Sequence, residues 1–142
     1  MPTLTSVLLV DDDPTTNFLN KLLPTRMGVA QQGLLAENGE QALRTLYQTC
    51  TAATNSACPQ LILLDMNMPV LNSLGFLEVY AQMPLAQQRA IVIVMLTTSL
   101  HPVDFARAQA LPIAGFLNKP QTPEKFSTIL AQHFPPPRYW RG

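Results

Sequence analysis

Short unbroken apolar runs alternate along this chain with segments in which apolar residues recur every three or four positions. Ser6 to Val10 (SVLLV), Leu61 to Leu64 (LILL) and Ile91 to Leu96 (IVIVML) are continuous runs bounded by polar residues, a pattern that predicts strands buried on both faces. The third is also rich in β-branched residues, which suit a pleated surface. Gly33 to Glu37 (GLLAE) and Ile113 to Leu117, with Gly115 inside it, complete a set of five strands. Pro14 opens a helical pattern with Phe18, Leu19, Leu22 and Leu23 at helical spacing, and Asp12 or Asp13 is placed to cap it. Glu40 to Gln48 carries Ala42, Leu43, Leu46 and Tyr47 on one face. Helices are also predicted from about Ser73 to Gln82, over His101 to Leu111 and over Thr122 to His133. Residues 49–59 are small and polar, and Met66 to Pro69 must be loop because a proline disfavours helix in the residue before it.

Five strands alternating with five helices predict an α/β fold with a parallel sheet covered on both faces. The expected architecture is the flavodoxin-like doubly wound (βα)5 fold, strand order 2-1-3-4-5, with ligands at the carboxyl ends of the strands beside the switch point between strands 1 and 3. A chain of 142 residues suffices for one self-supporting core. Residues 1–133 are expected to form that domain. Residues 134–142 (FPPPRYWRG) read as an extended Pro-rich tail with no output domain after it.

Nine basic and nine acidic side chains give zero formal net charge, and only 13% of residues are charged, about half the usual share. Basic residues are scattered singly, which argues against nucleic acid and anionic membranes as partners. No apolar stretch approaches a membrane span and no signal peptide is read, so a soluble cytoplasmic protein is expected. Cys50 and Cys58 flank a polar loop without a His or Cys pair nearby, which speaks against zinc; in a cytosol both are expected as reduced thiols. His101 and His133 are isolated and read as surface or capping residues.

The few charges are informatively placed. Four of the five aspartates are Asp11, Asp12, Asp13 and Asp65, each just after an apolar run, and one of three lysines, Lys119, precedes Pro120 after another. In the expected sheet, Asp11 and Asp12 follow strand 1, Asp65 follows strand 3, Thr97 follows strand 4 and Lys119 follows strand 5. Three carboxylates on one rim repel unless a cation neutralises them, and a hard cation such as Mg²⁺ suits oxygen ligands. A carboxylate beside such an ion, with a lysine and a hydroxyl nearby, is equipped to attack a phosphoryl group and form an acyl phosphate.

Leu9-Val10-Asp11-Asp12, Leu64-Asp65-Met66-Asn67-Met68-Pro69, Leu96-Thr97-Thr98-Ser99 and Gly115-Phe116-Leu117-Asn118-Lys119-Pro120, in that order, resemble the receiver domain of two-component response regulators over about residues 5 to 132. The resemblance implies that Asp65 is the phosphoacceptor and that Asp11, Asp12, Asp65 and the backbone carbonyl of Asn67 serve Mg²⁺. It implies that Lys119 and Thr97 contact the phosphoryl group, that Phe116 is an aromatic switch residue, and that the Lys119-Pro120 peptide is cis. The implied partners are a histidine kinase or phosphotransfer protein and a downstream protein meeting about residues 101 to 133.

Three positions depart from the family pattern. Ser73 stands where receivers usually carry glycine, which bears on the loop into the third helix; Phe116 lacks the hydroxyl of the commoner tyrosine; and Thr98 stands where many have a small residue, which bears on access to Asp65. Two other readings compete. Asp11-Asp12-Asp13-Pro14-Thr15 fits the signature of haloacid-dehalogenase-type aspartate phosphatases, although only Glu124 follows Lys119 where that family needs an acidic pair. A pseudo-receiver would keep the fold as a binding module without phosphorylation. Asp13 reads as the helix cap rather than a ligand.

Overall fold

The computed structural model of the chain describes residues 4–28, 30–50, 58–65, 73–82, 91–97, 113–118 and 122–134. The strands are β1 (Leu4–Val10), β2 (Ala30–Ala36), β3 (Leu61–Asp65), β4 (Val92–Thr97) and β5 (Gly115–Asn118), and the helices are α1 (Pro14–Arg26), α2 (Gly39–Cys50), α3 (Ser73–Gln82) and α4 (Pro123–His133). The strands form one sheet in the order β2-β1-β3-β4-β5, as expected, and every neighbouring pair is parallel. The helix expected over 101–111, with His101, and the tail over 135–142 lie outside the described residues.

Strict alternation of side chains on the central strands builds two cores, which is why their sequences are continuously apolar. Leu8, Val10, Ile62, Leu64, Ile93 and Met95 face α2 and α3, where they pack with Ala42, Leu46, Phe76, Leu77 and Tyr80. Val7, Leu9, Leu61, Leu63, Val94 and Leu96 face the other way, toward Phe126, Ile129 and Leu130 of α4, with Leu23 and Met27 at the end of α1. Burial raises the pKa of the Tyr80 hydroxyl, because the anion would lose its hydration.

β2 begins three residues before the segment predicted for it and includes Gln31 and Gln32, both exposed. As an edge strand paired only with β1, it needs no continuous apolar run. Helix ends follow local chemistry. The Asn38 side chain accepts from the N–H of Gln41 at 2.8 Å, and the Gln41 side chain accepts from the N–H of Glu37 at 2.9 Å, a reciprocal cap for α2. Thr122 caps α4, with Pro123 in the first turn. Gly28, at φ 69°, turns the chain out of α1 in a region that side chains disfavour.

Two sequence expectations need correction. Phe18 and Leu19 lie outside the buried stripe of α1, at 55% and 59% exposure, whereas Asn17 and Pro24 are buried. Tyr47 of α2 is likewise exposed, while Ala42 and Leu46 are buried and Leu43 packs at the core margin. The stripe that faces a sheet is set by helix docking, and apolar residues one position off it stay in solvent. Cys50 and Cys58, expected as reduced thiols, form a disulfide. The end of α2 and the approach to β3 bring their Cα atoms to 4.7 Å, within bridging range, and both residues are buried in the α2 and α3 core.

Candidate functional site

Three chain segments reach the carboxyl edge of the sheet close together. The register pairs Val10 with Leu64, so Asp11 and Asp65 are the next residues along adjacent parallel strands. Asp65 in turn pairs with Leu96 of β4, and Thr97 pairs with Asn118 of β5. The crossover explains the convergence: β1 continues to β2 on one side and the chain returns to β3 on the other, leaving a crevice at the switch point.

In that crevice one carboxylate oxygen from each of Asp11, Asp12 and Asp65 lies within 4.8 Å of the others. Asp11 and Asp65 are buried, at 2% and 4% exposure, while Asp12 is exposed. Two carboxylate charges about 5 Å apart repel by roughly 3 kcal/mol at an effective dielectric near 20. An all-oxygen donor set at this spacing, part buried and part open to water, fits a hard divalent cation that retains some of its waters.

Asp13 takes no part in the cluster. It caps α1, its carboxylate accepting from the Thr15 N–H at 3.1 Å and from the Thr16 hydroxyl at 2.7 Å. Its own N–H donates to the Asp11 carboxylate at 3.0 Å, which orients that side chain within the crevice. Three consecutive aspartates are thus divided between pocket and helix cap, as the sequence suggests.

Thr97 closes β4 on the same rim. Phe116 lies on β5 opposite Met95, half-buried against the α2 and α3 core. Asn67, Thr98, Lys119 and Pro120, expected at this site from the sequence, lie outside the described residues. One residue at the site escaped sequence reading. Asn17 of α1, 2% exposed, donates from Nδ2 to the carbonyl oxygens of Asp11 and Ala36, each at 2.9 Å. The sequence carries no signal for it, because the apolar spacing of α1 points to Phe18, Leu19, Leu22 and Leu23 and leaves Asn17 off that stripe.

The family profile of the response regulator receiver domain matches residues 7–131. The nitrate/nitrite response regulator protein NarL of Escherichia coli (strain K12) is 30% identical over 128 residues, which span 89% of this chain and 53% of NarL. A probable chemotaxis protein CheY of Rhizobium etli is 29% identical over 128 residues, 90% of this chain and 91% of that protein. The chain therefore spans about half the length of the first relative and most of the second. Among solved structures, a two-component response regulator from Cytophaga hutchinsonii superposes with a TM-score of 0.78 at 26% identity, covering 92% of this chain and 96% of that one. The chemotaxis protein CheY4 of Vibrio cholerae superposes with a TM-score of 0.73 at 25% identity, covering 92% and 98%. Fold, strand-end aspartates and sequence similarity agree, and the chain belongs to the response regulator receiver family.

Proposed function

We propose that Asp65 accepts a phosphoryl group from a histidine kinase or phosphotransfer protein, and that the chain signals through a changed protein-binding face. The observation that carries this reading is the burial of the Asp65 carboxylate at the switch point, within 4.8 Å of oxygens from Asp11 and Asp12. An Asp65 carboxylate oxygen forms a bond to phosphorus as the P–N bond of the donor phosphohistidine breaks, and the released imidazole takes up a proton from solvent. A bound Mg²⁺ would offset charge on the phosphoryl oxygens during the transfer. Asp11, Asp12, Asp65 and the backbone carbonyl of Asn67 would hold that ion. Lys119 and Thr97 would contact the phosphoryl oxygens, Phe116 would change packing with phosphorylation, and the Lys119-Pro120 peptide would be cis. The partner face would span about residues 101 to 133, and the protein would act in the cytoplasm as an acceptor rather than a turnover enzyme, a domain over residues 1–133 with a tail beyond it.

The phosphatase reading has less support. The second aspartate of its signature, Asp13, is engaged by the first turn of α1, and that reading leaves Asp65 without a role. Incubation with acetyl phosphate and Mg²⁺, followed by intact mass measurement, is expected to add one phosphoryl group to the wild type and none to Asp65→Asn. Beryllofluoride binding should follow the same pattern. Equal modification of both proteins would overturn the reading, and absence of modification by acetyl phosphate and by cognate kinase would favour the pseudo-receiver.

A further inference from the structure

We infer that Asn17 is a positioning residue for the metal-binding aspartates, an inference that rests on the phosphoacceptor reading above. The Asn17 amide joins three segments. Nδ2 donates to the carbonyl of Asp11, just past the end of β1, and to the carbonyl of Ala36, the last residue of the edge strand β2, each at 2.9 Å. The Ala36 carbonyl also accepts from the Asp11 N–H at 3.1 Å. Asn17 itself is anchored at the start of α1, its N–H donating to the Asp13 carbonyl at 3.0 Å. The amide therefore braces the backbone from which the Asp11 carboxylate projects and from which the chain leads to Asp12.

The brace lies where strand pairing runs out, next to the bond from the Asp11 N–H to the Ala36 carbonyl. The β1 register ends at Val10 with both neighbours, Ala36 on one side and Leu64 on the other. Beyond it, the chain must leave the sheet while keeping two carboxylates aimed at a third. Asn17 also carries a local cost. It is 2% exposed and its Oδ1 has no hydrogen-bond partner among the described residues, which forfeits hydration of that oxygen without return. Leucine has nearly the same shape and would fill an inner helix stripe without that cost. A locally unfavourable residue whose other end grips the metal loop points to a role in the pocket.

Isothermal titration with Mg²⁺ tests this. Asn17→Leu keeps the volume and removes the donor, and loss of such an outer-shell contact is expected to weaken the Mg²⁺ dissociation constant by about tenfold or more. Leu23→Ala, which thins the packing of the same helix away from the pocket, is expected to leave that constant unchanged. Wild-type affinity in folded Asn17→Leu, or equal weakening in Leu23→Ala, overturns the inference and leaves the phosphoacceptor reading intact. Should Asn17→Leu not fold, the ¹⁵N-labelled wild type decides: the Asn17 side-chain amide resonances are expected to shift on saturation with Mg²⁺, and unmoved resonances overturn the inference. A wild type that binds no Mg²⁺ at millimolar concentration overturns the phosphoacceptor reading, and this inference with it.

Discussion

Asp11, Asp12 and Asp13 are adjacent in the chain, but they meet different surroundings: one is buried in the crevice, one lies exposed at its mouth, and one is folded back onto the first turn of α1. The difference predicts different responses to substitution. Asp13→Ala removes an N-cap and is expected to cost about 1 kcal/mol in urea unfolding, with phosphorylation of Asp65 and Mg²⁺ affinity retained. Loss of phosphorylation in a folded Asp13→Ala protein would instead place Asp13 in the pocket. Asp11, Asp12 and Asp65 were legible in the sequence because each ends an apolar run and charges are scarce. Asn17 was not, because an asparagine among Leu and Phe on a helix looks the same whether it faces water or two backbone carbonyls.

At the level of elements, apolar periodicity located every described strand and helix, with boundaries shifted by a few residues. It failed where an element's partner decides the outcome. The exposed Phe18 and Leu19 and the polar edge strand β2 both depend on what lies beside them. The Cys50 and Cys58 pair is the clearest case: spacing along the chain argued against a zinc site, but only the docking of α2 beside the approach to β3 brings the two sulfurs together. Closing a loop of this length restricts the unfolded chain by roughly 2 to 3 kcal/mol. Dithiothreitol is therefore expected to lower the urea midpoint of the wild type and to leave the Cys50→Ser/Cys58→Ser double variant unmoved. Equal midpoints for the wild type with and without reductant would show that the bridge adds nothing to stability. In a reducing cytosol such a bridge persists only if its potential lies below the glutathione poise, which a glutathione redox titration measures.

For the molecule as a whole, stability and metal binding are linked through the acidic cluster. An ion that binds the folded state alone adds about 2.7 kcal/mol at a hundred times its dissociation constant. Mg²⁺ is expected to raise the melting temperature of the wild type. Asp12→Asn relieves carboxylate repulsion, so it is expected to melt higher than the wild type in EDTA and to respond less to Mg²⁺; a lower melting temperature in EDTA would refute the repulsion argument. The sequence alone determined the alternation of elements, the parallel two-faced sheet and the placement of aspartates at strand ends, because these follow from periodicity over a few neighbouring residues. The tertiary structure decided that residues 54 positions apart, Asp11 and Asp65, share one crevice, that Asn17 braces it, and that the two cysteines are joined. Strand register, crossover and helix docking place these groups, and each depends on contacts between residues distant in the chain.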